Sequence, residues 1–322
     1  MRERPFSFPH DKSVRVIFDT DAACEADDQY AIAHALLTPR FDIKAFTAEQ
    51  FISQPGSEES SWNEINKVMS LMDLEDTVPV CHGASSPLGD EKTPSPSEGA
   101  EKIIEEAMKD DNRALFVCGQ GALTNIASAI LMKPEIQERF TLIWTGGGEY
   151  PDGKNEFNAR GDIVAANVVM RSSVPLWQVP RTVYATMRIS FTELLESVYP
   201  CGKLGRYLVK NTMEVAEKLF KKMGGVTPDG KPQFSTLPRA EAVTRFSGEL
   251  WSLGDSAAIG LMMNSNLGRY HTDGAPWGFN EDASYDFSHP NKRKIRIYDT
   301  IDSRFIISDM LSKFRYYLGE EE

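Results

Sequence analysis

Short apolar runs recur through the first 180 residues, at 14–18, 43–48, 78–81, 114–118, 142–145 and 174–179. Runs this short, apolar without alternation, suit strands covered on both faces, as in a parallel sheet. Between them lie segments at 28–37, 58–72, 98–109, 124–132 and 162–170 with apolar residues at helical spacing, several opened by Ser, Asp or Thr caps. Such alternation predicts βαβ units and a mainly parallel, Rossmann-like α/β sheet flanked by helices. Beyond about residue 190 the pattern changes. A charged helical stretch at 191–222 precedes a Gly/Pro-rich segment at 224–232, which reads as a loop that could serve as a lid. A helical run at 253–263, a Gly/Asp/Pro-rich stretch at 271–290, a strand at 294–298 and a helix at 304–317 follow. The expectation is one α/β domain over 1–322 with an additional C-terminal helical portion and no internal repeat.

The first run empties into acid. Asp19, Asp21, Glu25, Asp27 and Asp28 fall between the apolar runs at 14–18 and 31–37. Capping and the helix dipole alone favour acids at a helix start, and many acidic runs are solvated faces. The spacing argues for more. Asp19 and Asp21, two apart in a strand, share a side, while Asp27 and Asp28 open the next helix. Crowded carboxylates repel one another unless a cation intervenes, and an all-oxygen set suits Ca²⁺ or Mg²⁺ better than Zn²⁺. In an open α/β sheet, the crevice beyond the strand C-termini is where ligands bind.

Composition narrows the partners. With 322 residues and 41% hydrophobic content, the chain can bury a sizeable core. Its net charge of -12 disfavours nucleic acid and anionic membranes and leaves a small molecule as the expected partner. Cys24, Cys81, Cys118 and Cys201 form no CxxC pair, which argues against a disulfide scaffold or zinc site. No segment approaches the roughly 18 apolar residues of a membrane span, and the N-terminus has no apolar signal region. A reduced, cytoplasmic setting is the expectation.

Several segments, in order, resemble the inosine-uridine-preferring nucleoside hydrolases. Phe18-Asp19-Thr20-Asp21 followed by Asp27-Asp28 resembles the family's opening Asp-x-Asp signature. Gly121-Ala122-Leu123-Thr124-Asn125-Ile126-Ala127 is similar to its Gly-Pro-Leu-Thr-Asn-Ile-Ala turn, and Glu156-Phe157-Asn158, after Gly146-Gly147-Gly148, to its Glu-Phe-Asn segment. Gly254-Asp255-Ser256-Ala257-Ala258 stands where the family carries an Asp at a helix start, and the run at 79–84 fits a Pro-Val-x-x-Gly-Ala segment. The resemblance covers roughly residues 13–265 and implies Ca²⁺-dependent hydrolysis of the N-glycosidic bond of a ribonucleoside or related N-ribosyl compound. It implies Asp21, Asp28, Asp255 and the carbonyl of Gln120 as metal ligands, Asp21 activating a metal-bound water as general base, and Asp19 in support. Asp27, Glu156 and Asn158 would orient the ribose, and a dimer or tetramer is implied.

The departures from the family lie at the leaving-group end. Residues 22–26 replace a shorter Pro-Gly-containing turn and add Glu25. Gly254 stands where many relatives have a His that helps the base leave. Trp251 is then the nearest stacking candidate and His82 a candidate acid, although a Trp near a helix start and a His at a strand end also read as core and structural residues. No Asn follows the second strand in register with the family's ribose contact, so Glu49 or Gln50 would take that space. Two other readings stand beside the hydrolase. One is a catalytically inactive or regulatory relative that binds a metal and a ribose-like ligand. The other is a phosphatase with Asp19 as nucleophile, for which no downstream Lys and acidic pair can be placed.

Overall fold

The computed structural model describes residue 6 and residues 8–52, 54–223 and 248–319. The proposed lid at 224–232 lies outside the described residues. In chain order the strands are β1 (Val14–Thr20), β2 (Phe41–Ala48), β3 (Val80–Cys81), β4 (Leu115–Gly119), β5 (Thr141–Thr145), β6 (Leu176–Val179), β7 (Arg188–Ser190), β8 (Leu250–Ser252), β9 (Gly268–Gly274), β10 (Gly278–Phe279), β11 (Tyr285–Asp286) and β12 (Lys294–Ile301). Eight of them form one sheet in the order β3-β2-β1-β4-β5-β6-β12-β9. Neighbours run parallel except β9, which lies antiparallel to β12. The mainly parallel α/β architecture expected from the sequence is thus present.

Every residue of β1 is buried: Val14, Val16, Ile17 and Phe18 supply its apolar run, while the buried Arg15 donates to the Glu106 carbonyl at 2.9 Å. Val14, Val16 and Phe18 face one core with Tyr30, Phe46 and Phe314, while Ile17 faces the other with Ile126 and Trp144. The chain lays β2 and β3 on one side of β1, then returns to place β4 on the other. The C-terminal ends of β1 and β4 therefore flank the point where strand order reverses, the ligand crevice of an open α/β sheet.

The second half departs from the sequence expectation in three places. The stretch at 191–222 forms two helices, Phe191–Ser197 and Gly202–Met223. Pro200 lacks an N–H and disfavours helical geometry at Tyr199, and Gly202 restarts the chain at a φ of 64°. The run at 253–263 begins later, as helix Ser256–Met263, because the chain first pairs β8 with β7 and sets Trp251 opposite Ile189. The stretch at 271–290 holds the end of β9 and the small β10–β11 pair, so the C-terminal portion returns two strands, β9 and β12, to the sheet before its closing helix, Ser303–Leu318.

Candidate active site

At the reversal point, β1 delivers Asp19, Thr20 and Asp21, β4 runs into Gln120, and helix Asp28–Leu36 begins with Asp27 at its N-cap. Asp255, N-cap of helix Ser256–Met263, arrives from far along the chain. A cavity here is lined by Asp21, Glu25, Asp27, Asp28 and Asp255 together with Cys24, Gln120, Thr145, Phe157, Asn158 and Tyr184. Carboxylate oxygens of Asp27, Asp28 and Asp255 lie within 4.8 Å of one another.

Neutral donors hold this ring of acids. Asp28 accepts from the Thr20 hydroxyl, and Asp255 Oδ1 accepts from Thr145 Oγ1 at 3.1 Å. Gln120 Nε2 donates to the Asp255 carbonyl at 3.1 Å, while its Oε1 is buried without a partner. Asn158 Nδ2 donates to the carbonyls of Thr145 at 2.7 Å and Gln120 at 3.2 Å. Behind the ring, Asp19 is fully buried and accepts from the Thr47 hydroxyl and from Asn125 Nδ2 at 2.9 Å.

The electrostatic conflict is visible in the acids themselves. Burial, and then the charges of Asp28, Asp27 and Glu25, push Asp21 well above the ordinary carboxylate range. Burial and neighbouring acids do the same to Asp27 and Asp255, and burial raises Asp28 to about 6. Burial and the nearby acids also hold the Cys24 thiol protonated. The usable donors are oxygens, one of them the unpartnered Gln120 Oε1, and this set fits a hard divalent cation.

Seven of the residues singled out in the sequence, Asp21, Glu25, Asp27, Asp28, Gln120, Asn158 and Asp255, line this one cavity. Glu156, Trp251 and His82 do not. Glu156 sits behind it as N-cap of helix Phe157–Gly161, where its carboxylate accepts from the backbone of Gly147 and Ala159 at 2.8 Å, of Asn158 at 3.2 Å, and from the Tyr184 hydroxyl at 2.7 Å. Trp251 belongs to the core, its indole N–H buried, because β8 packs inward. His82 stacks on Trp62 with ring centroids 4.7 Å apart, and its Nδ1 is 3.0 Å from Glu58. Of the two residues after β2, Gln50 turns away to the Gly161 carbonyl at 3.2 Å. Glu49 is buried beside Asp19, the partner that helps to shape its environment.

Sequence reasoning missed Tyr184 and Phe157. A Cβ on Gly254 would stand 2.9 Å from Tyr184 Cδ2, so the tyrosine ring packs against the face that a side chain at 254 would occupy. The glycine was the available signal, but only the fold brings Tyr184 to it.

The family model described as inosine-uridine preferring nucleoside hydrolase matches residues 16–278. The pyrimidine-specific ribonucleoside hydrolase RihA of Citrobacter koseri is 26% identical over 186 residues, covering 50% of this chain and 58% of that protein. The match therefore spans little more than half the length of that curated relative. Among solved structures, the plant nucleoside hydrolase PpNRh1 superposes with a TM-score of 0.72 at 17% identity, covering 94% of this chain and 98% of that one. The purine-preferring ribonucleoside hydrolase from Gardnerella vaginalis gives 0.68 at 17% identity, covering 94% and 99%. These superpositions show the fold. With the family match running from β1 past the helix that Asp255 caps, this chain belongs to the inosine-uridine preferring nucleoside hydrolase family.

Proposed function

We propose that this protein is a Ca²⁺-dependent N-ribosyl hydrolase that splits a ribonucleoside or related compound into base and ribose. One observation carries the reading: acids from the end of β1, a helix start and the distant Asp255 meet an unpartnered amide oxygen at the strand-order reversal. Asp21, Asp28, Asp255 and the backbone carbonyl of Gln120, which also accepts from Asn158 Nδ2, would hold the metal, with Asp27 beside them, its carboxylate within 4.8 Å of those of Asp28 and Asp255. Ca²⁺, when bound, supplies the positive charge that relieves the crowded carboxylates and lowers the pKa of a water it holds. Asp21 takes a proton from the attacking water. Asp27 and Asn158 hydrogen-bond the ribose hydroxyls and set the ring for attack at the anomeric carbon. The remaining carboxylates favour the positive charge that develops on the sugar in an oxocarbenium-like transition state.

Glu156 enters this scheme through Asn158, whose backbone and turn it fixes. The phosphatase alternative loses its nucleophile, because Asp19 is enclosed by Thr47 and Asn125 and does not line the cavity. Reducing-sugar release over a nucleoside panel separates the hydrolase from an inactive binder. A binder would show ligand-dependent stabilisation without product.

Calcium binding also has a pH signature. Without metal, the folded state holds the Asp28 proton to about pH 6, against 3.8 for the free side chain. Folding therefore binds protons, and this contribution to stability falls as pH rises from about 4 through 6. Ca²⁺ replaces those protons, so its stabilisation should grow over the same window. At 100 times Kd the gain is about 2.7 kcal/mol, or about 4 °C in Tm for a chain of this length. Thermal melts with and without Ca²⁺ at pH 5 and pH 7 measure it, and equal shifts at both would count against carboxylate ligation.

A further inference from the structure

The same cavity carries information about the leaving group, on the reading that it hydrolyses N-ribosyl bonds. Five carboxylates line it, and among the described residues no Lys, Arg or His does. A divalent cation offsets two of those charges. All five histidines of the chain are accounted for elsewhere. His34 is buried against Asp309, His82 stacks on Trp62, His271 and His289 bond Asp299 and Ser288, and His10 lies in an exposed N-terminal turn. The Tyr184 hydroxyl already donates to Glu156. What the described residues of the cavity offer a base is aromatic: the Tyr184 ring, seated against Gly254, and Phe157, 38% exposed.

We infer that the cavity takes a ribonucleoside whose base is positively charged at the glycosidic nitrogen, such as a pyridinium ribonucleoside, with the charged ring set against Tyr184 and Phe157. The chemistry balances without a proton donor at the base. Water oxygen bonds to C1′ as the C1′–N bond breaks, and the bonding pair passes to the ring nitrogen. One water proton goes to Asp21. The pyridinium nitrogen becomes a neutral pyridine, and the products are ribose, base and one proton. On uridine or inosine the same electron pair creates a base anion, which a donor must neutralise. The anionic lining and the aromatic faces both attract a cation.

The test uses the full chain with Ca²⁺ and three probes: nicotinamide riboside, inosine and uridine. The expected kcat/KM for nicotinamide riboside is at least about 100-fold above the other two, a difference of two decades in transition-state stabilisation. Because pyridinium ribosides are also intrinsically labile, the decisive readout is the change in that ratio on substitution. Tyr184→Ala should lower the ratio about tenfold, and Tyr184→Phe, which keeps the ring, should restore it. Retention of the Ca²⁺-dependent melting shift shows that each variant is folded. In the Tyr184→Ala background, Gly254→His should raise inosine cleavage about tenfold by supplying a donor. Equal or faster cleavage of inosine or uridine by the unaltered protein overturns the inference, as does a ratio unmoved by Tyr184→Ala. If no probe is cleaved but nicotinamide riboside alone raises Tm, the hydrolase reading falls and cationic recognition stands. If no probe is cleaved or stabilises the protein, both fall.

Discussion

Asp21→Asn is expected to cut ribose release by about 10³- to 10⁴-fold while leaving the folded protein at least as stable as before. Asparagine matches the size of aspartate but cannot take a proton from water, and a positioned base contributes about 10²- to 10⁴-fold. The substitution also removes a carboxylate from the proposed metal shell, which places the effect at the upper end. Stability should move the other way. Asp21 is buried among like charges that raise its pKa, so a neutral amide there relieves repulsion in the metal-free protein. The expected pattern is therefore a metal-free Tm that is unchanged or higher, a smaller Ca²⁺-induced shift, and almost no product. Activity within tenfold of the unaltered protein would sink the assignment of Asp21 as base. Asp19→Asn gives the contrast, because Asp19 lies behind the cavity with Thr47 and Asn125 and should affect position more than chemistry.

The contrast between the halves of the chain shows what a sequence can carry. β1, β2, β4, β5 and β6 and the helices between them were legible because strands covered on both faces are rich in apolar residues, even with Arg15 in β1 and Lys44 in β2, and helix starts carry caps such as Ser97 and Asp162. β9 escaped because it is an edge strand with five consecutive exposed residues, so neither face imposes an apolar pattern. The break at Pro200 was written in the sequence, but the charged helical periodicity on either side of it outweighed one proline. Within the site, Asp21, Asp27 and Asp28 were local and could be read from spacing. Asp255 and Asn158 came from register with a family, since nothing nearby distinguishes an N-cap Asp or a turn Asn from a ligand. Tyr184 was not legible at all. Its place depends on Glu156 accepting its hydroxyl and on the absent side chain at 254, contacts that exist only after folding.

Gly121→Ala is expected to cost about 10²-fold in kcat, through one methyl group placed behind the base. A Cβ at 121 would overlap Glu49 Oε2 and stand 2.8 Å from Asp21 Cγ and 3.0 Å from Asp21 Oδ1, closer than carbon and carboxylate can pack. Three neighbours could yield. The backbone of Gly121 cannot retreat freely, because its carbonyl accepts from Nε1 of the fully buried Trp144 at 3.1 Å. Glu49 is only 1% exposed and packed beside Asp19, so it has little room. Asp21 faces the cavity and is the group free to move. A shift near 1 Å in a catalytic group costs about 10²-fold, and overpacking a tight site costs about 1–3 kcal/mol of stability. Steric displacement makes a second demand. Trimming the opposing side chain with Glu49→Ala in the Gly121→Ala background should return about tenfold of the lost rate, whereas Glu49→Gln, of the same size, should return none. Single-turnover rates and melting curves on the three variants decide it. If Gly121→Ala stays within twofold of the unaltered rate, Asp21 is not held where the proton transfer needs it.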